Sequence, residues 1–154
     1  MKVSIRTIRA ILLFKTGALQ KGGGNYVKPT NAQVLKFMED NPSLPEVINY
    51  ISKIYRQFRF ISHPNLTMLY WVISKKNQEQ ADDFFEKYAT GIDLGLTNPI
   101  RHLRERLLND SISKAKLKSR DKVALFIFAW NAYIEGRKMQ KLTLQRDYVF
   151  PKPI

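Results

Sequence analysis

The residues in this chain that can do chemistry are cations. Lys114, Lys116, Lys118, Arg120 and Lys122 alternate with other residues through a short stretch. Arg137, Lys138 and Lys141 form a second group, and Arg101 and Arg106 a third. Phosphate contacts use flexible cations together with backbone N–H groups at a helix start, and Ser119–Arg120 offers such a start. The same pattern also describes a solvated, lysine-rich loop, so the cations name a partner class without proving one.

Other chemistries find little to work with. Cysteine is absent, which removes disulfides, thiolate metal sites and cysteine nucleophiles. Of the two histidines, His63 precedes Pro64 and His102 follows Arg101, and no H-x-x-x-H or H-E-x-x-H spacing exists. Asp82, Asp83 and Glu86 put carboxylates on one helical side, but Asp83 sits four residues before Lys87, an ordinary stabilising pair. No serine has a G-x-S-x-G setting, and Gly22, Gly23 and Gly24 lack a following Lys-Ser/Thr. The expectation is a protein that is not an enzyme, with no cofactor and no metal.

The whole-chain charge agrees with the cation groups. The 154 residues carry 26 Lys and Arg against 13 Asp and Glu, a formal +13. Such a field favours polyanions. It is uneven: residues 1–30 hold six cations and no acid, residues 63–98 are slightly acidic, and residues 99–154 hold thirteen cations against five acids. The longest apolar run near the start, Ala10 to Phe14, is too short for a membrane span or a secretory core. A cytoplasmic protein is expected, although the acid-free first thirty residues also fit an organellar presequence.

Helices must position these groups. The spacing of Ile5, Ile8 and Leu12 predicts a first helix over residues 2–19, ended by the three glycines. Thr30/Gln33 and Ser43/Glu46 read as capping boxes, the second opening a helix with Ile48, Ile51, Ile54 and Phe58 inward. His63-Pro64 reads as a break before a buried helix over 66–73. Asn77 caps a helix that Gly91 stops, and Asn98-Pro99 opens one that runs to about Leu108. Val123 to Trp130 is apolar throughout, so the last helix, 120–135, is expected to be the central pillar. Period-two alternation is confined to 139–144. The expected fold is all-α: a single-domain multi-helix bundle or orthogonal array of six or seven helices around a buried C-terminal helix. The domain spans 1–144, with 1–29 as basic helix and glycine loop, and 145–154 is an extended tail.

Two polar groups fall inside apolar arcs. Arg104 lies between Ile100, Leu107 and Leu108 and needs a carboxylate or free carbonyls; an acid on the Asp82–Glu86 helix is the expected anchor. Asn131 follows the apolar run and either reads a base or bonds a neighbouring loop.

Three stretches carry a resemblance: Ala81-Asp82-Asp83-Phe84-Phe85 through Gly91, Asn98 through Leu107, and Ala129-Trp130-Asn131-Ala132-Tyr133 with Gly136-Arg137. Their order and spacing resemble the C-terminal helical half of phage and prophage proteins whose N-terminal ParB/sulfiredoxin-like domain carries an Asp-Gly-Gln-His-Arg loop. The likeness covers roughly residues 31–143. That loop is missing here, so its nucleotide or nuclease chemistry is not carried over. The resemblance implies a viral helical accessory module in a DNA-related setting, either stand-alone or a fragment begun at an internal Met.

The expected function is electrostatic binding of DNA or RNA by a phage-type accessory protein. The alternative is a viral protein that docks on a host or viral protein, using the broad apolar arc of the first helix.

Overall fold

A computed structural model describes residues 4–21 and 27–154; the three glycines lie outside them. Eight helical segments form: α1 (Ile5–Lys15), α2 (Ala18–Lys21), α3 (Asn31–Asp40), α4 (Leu44–Gln57), α5 (His63–Ser74), α6 (Gln78–Thr90), α7 (Pro99–Ile112) and α8 (Ser119–Ile134). The described residues contain no strand, including 139–144.

Local chemistry sets most boundaries. The Thr30 hydroxyl accepts from the Gln33 N–H, and the Gln33 side chain accepts from the Thr30 N–H, which fixes the start of α3. Asn77 and Asn98 cap α6 and α7 through their side-chain oxygens. Gly91 ends α6 at φ 69°, and a Cβ there would lie 2.7 Å from Arg104 Nε, so both conformation and space demand glycine.

Four boundaries differ from expectation. The first helix splits, because Gly17 at φ 79° turns the chain into the one-turn α2, and this adds a segment to the expected six or seven. Pro64 does not merely break the chain; Ser62 caps α5, and proline in the first turn loses no helical hydrogen bond. Ser43 makes no side-chain cap bond, so α4 starts without the second capping box. Helix α7 continues to Ile112, a turn beyond Leu108.

Two helices, not one, are buried along most of their length. Helix α5 hides Leu66 to Trp71 and Ile73; α8 hides Val123 to Ile127, Ala129, Trp130 and Ala132. The first packs on α1, α4 and α6, the second on α7 and α6. Helix α6 joins them through an aromatic seam. Phe84 meets Phe126, Trp130 and Tyr133 at 5.1–5.5 Å between centroids; Phe85 meets Tyr70 at 5.1 Å, and Tyr88 meets Phe58 at 5.0 Å. Such edge-on pairs add roughly 0.5–1.5 kcal/mol each beyond area burial.

The inward cation and amide both anchor backbone. Arg104 donates to the carbonyls of Tyr88 and Ala89 and lies 4.1 Å over the Phe58 ring. It therefore caps the C-terminus of α6 and uses none of the acids expected on that helix. Asn131 Nδ2 donates to the Lys152 carbonyl at 2.9 Å, and its Oδ1 accepts from the Ile154 N–H at 3.0 Å. Trp130 Nε1 donates to the Ile154 carbonyl at 3.0 Å, and Pro151 is buried. The extended tail is thus fixed against α8 over its last four residues.

Candidate nucleic-acid interface

The N-terminal end of α8 gathers distant parts of the chain. Arg120 Nε donates to the Leu19 carbonyl at 3.2 Å, and Nη2 donates to the Gln20 carbonyl at 2.7 Å. These are the C-terminal carbonyls of α2, which lack helical partners. Nη1 donates to Tyr148 Oη at 2.8 Å, and the guanidinium lies 5.2 Å and 5.1 Å from the Tyr148 and Phe150 ring centres. Tyr148 in turn donates to Asp121 at 2.7 Å; burial and that carboxylate push its phenol up to about 12. Two residues on, Lys122 donates to the Phe60 carbonyl at 3.1 Å and faces Asp110 at 3.8 Å. Asp110 is buried and also accepts from the Leu117 N–H at 2.6 Å, which shapes the loop carrying the lysines.

The ten cations singled out in the sequence therefore divide. Arg120 and Lys122 are structural ties. The ammonium of Lys116 bonds the Asp110 and Ser111 carbonyls at the end of α7. Lys114 and Lys118 are exposed, and no ion pair engages them among the described residues. Arg101 pairs with Glu105 at 3.0 Å, and Arg137 with Glu135 at 3.2 Å. Lys138 and Lys141 are exposed beyond the other end of α8, roughly 24 Å of helix from Arg120. Arg106 is half-buried, without an ion-pair partner among the described residues. The structure thus ties one member of the 114–122 group, Arg120, to α2, and leaves Arg101 and 137–141 toward the opposite end.

A further set of residues was not singled out in the sequence. Helix α1 buries Thr7, Ile8, Ile11 and Phe14, packing on α5. That commits the adjacent stripe, Arg6, Arg9, Ala10 and Leu13, to the border with the first turn of α5. There it forms a groove of about 270 Å³ with Leu19, Pro64 and Asn65. Arg9 Nη2 reaches Asn31 Oδ1 at 3.4 Å, while its Nε is buried with no hydrogen-bond partner. Leu19, which lines the groove, is also the residue whose carbonyl holds Arg120, and Phe60, four residues before Pro64, holds Lys122. Leu19 therefore borders both the groove that Arg6 and Arg9 line and the Arg120 tie at the start of α8. The signal in the sequence was the Arg6/Arg9/Leu13 spacing, which becomes meaningful only once α5 is known to cover the neighbouring stripe.

The acidic centre of the chain is internally engaged. Asp82 accepts from Tyr70 at 2.6 Å and from Gln78 at 3.2 Å. Asp83 accepts from Tyr133 at 2.5 Å and from Lys87 at 3.0 Å, and those bonds hold its carboxyl below the usual range. No group of three His, Asp or Glu residues is placed to hold a metal ion among the described residues. No helix among them is long and apolar enough to cross a membrane. No family model, curated protein or solved structure matches the chain.

Proposed function

We propose that this protein binds nucleic acid electrostatically, without catalysis, through the side where α1 and α2 meet the start of α8. One observation carries the reading. The Arg120 bonds to Leu19 and Gln20 join two basic segments about a hundred residues apart; from that tie we infer that Arg6, Arg9 and Lys21 face the same side as Lys114 and Lys118. Concentrated positive charge facing water is what polyanion attraction requires. The likeness to phage helical accessory modules points to the same setting, with the protein in the cytoplasm, that of a host cell if it is viral.

The apolar arc that suggested a protein partner is mostly used inside the fold: Ile8 and Ile11 are fully buried and Phe14 nearly so. Charge reversal tests the nucleic-acid reading. Replacing Lys114, Lys116 and Lys118 with Glu is expected to abolish retention on heparin and on DNA or RNA; the melting temperature should fall modestly, because Lys116 also bonds the carbonyls at the end of α7, and should stay nearly unchanged when only Lys114 and Lys118 are reversed. Wild-type affinity should fall steeply and linearly on a log–log plot against salt. Unaltered retention in the triple variant removes that loop from the site. A salt-resistant complex captured from nuclease-treated lysate, with no DNA or RNA binding, favours the protein-docking alternative.

A further inference from the structure

The geometry points to a narrower ligand: the groove between α1 and the start of α5 seats an unpaired base of a single-stranded nucleic acid, with Arg6 and Arg9 on the adjoining phosphates. This rests on the reading above and specifies what form of nucleic acid that side takes. Phosphate attraction alone needs only cations projecting into water, as Lys114 and Lys118 do. The groove offers something more, because its walls are Ala10, Leu13, Leu19 and Pro64, with the arginines and Asn65 at its edge. An apolar slot bordered by guanidinium groups matches a base joined to its phosphate.

A duplex cannot use this slot. Its bases are stacked inside, and extruding one costs unpairing and unstacking energy. An unpaired strand presents base and phosphate together at no such cost. Arg9 supplies the second argument. Its Nε–H is buried without an acceptor, an arrangement native structures rarely leave unmet. That atom has no exposed surface, so a phosphate oxygen or a base carbonyl would accept its hydrogen once the Arg9 side chain swings from Asn31 toward the groove. The occupant is also set by charge: α1 and α2 carry no acid, so an anionic strand is favoured over a basic peptide.

The test is fluorescence anisotropy on the full chain at fixed salt, with three labelled probes of equal length: oligothymidylate, an abasic strand and a blunt duplex. Wild-type protein is expected to bind oligothymidylate about tenfold tighter than either other probe. Leu13→Asn should remove most of that preference and leave duplex binding unchanged. Arg9→Gln, on the groove's edge, should weaken oligothymidylate more than duplex; it serves if the Leu13 variant proves unfolded by circular dichroism. Equal affinity for all three probes, with Arg9→Gln acting equally on each, overturns the base seat and leaves the electrostatic reading standing. Absence of binding to any probe at low salt overturns both.

Discussion

Both ends of α8 carry cations, five over residues 114–122 and three over residues 137–141, yet they use them differently. At the N-terminal end, Arg120 and Lys122 are drawn into the fold by carbonyls of α2 and of the α4–α5 connection. Around them Lys21, Lys114 and Lys118 stay in water. At the C-terminal end, Arg137 pairs with Glu135 two residues away, Lys138 and Lys141 stand exposed, and the fixed element is the uncharged clamp of Asn131 on the tail. The lesson is that a run of cations is not one functional object. Those that meet orphan carbonyls hold segments together, and by doing so they place the others side by side.

This contrast can be broken first at Arg120. Replacing it with Ala removes three charge-assisted bonds and two ring contacts, so a loss of about 2–4 kcal/mol is expected in chemical denaturation. Lys should restore only part, because an ammonium cannot reproduce the planar fork. A wild-type denaturation midpoint for Arg120→Ala would remove the idea that this residue ties the basic segments together. At the other end, Asn131→Leu should cost about 1–2 kcal/mol, the worth of two hydrogen bonds. It should also open the tail to limited proteolysis, read as tryptic cleavage after Arg146; an equally resistant tail contradicts the clamp.

Smaller effects sharpen the same comparison. Reversing Arg137, Lys138 and Lys141 to Glu is expected to weaken oligonucleotide binding by less than about threefold at physiological salt. The separation along α8 is roughly three screening lengths there. A loss as large as that of the 114/116/118 variant would mean that both ends bind. The smallest effect concerns His63, whose Nε2 lies 2.9 Å from Ser52 Oγ and whose pKa is lowered by burial. A ring that prefers neutrality when folded contributes stability that is complete above the unfolded value of about 6.5 and is lost as pH falls through the folded one. The melting temperature should thus fall between pH 7.5 and 5, and less so in His63→Gln; matching profiles would show that His63 contributes nothing.

Much of the helical framework was legible because it is local chemistry. Thr30 with Gln33, Asn77, Asn98-Pro99 and Gly91 each solve a problem set by their immediate neighbours, and each does so in the structure. Arg104 was legible as an anchor but not in its partner, since the carbonyls it meets become available only when α6 ends beside α7. Pro64 was read as a break because sequence does not tell whether a proline closes one helix or opens the next. The buried length of α5 was visible, but its weight beside α8 depends on α1, α4 and α6 all covering it. Arg120 looked like one more member of an alternating basic row. The groove at Arg6, Arg9 and Leu13 needed knowledge of which stripe of α1 faces α5, and counting charge alone conceals it.

The central claim is that basic segments from both halves of the chain form one binding side. Titrating isotopically labelled protein with a short oligothymidylate and following amide shifts by NMR tests it directly. The account requires perturbations at residues 6–21, 60–65 and 114–122, and silence at 137–141. Shifts centred on 137–141, or scattered evenly over every exposed lysine, would contradict it.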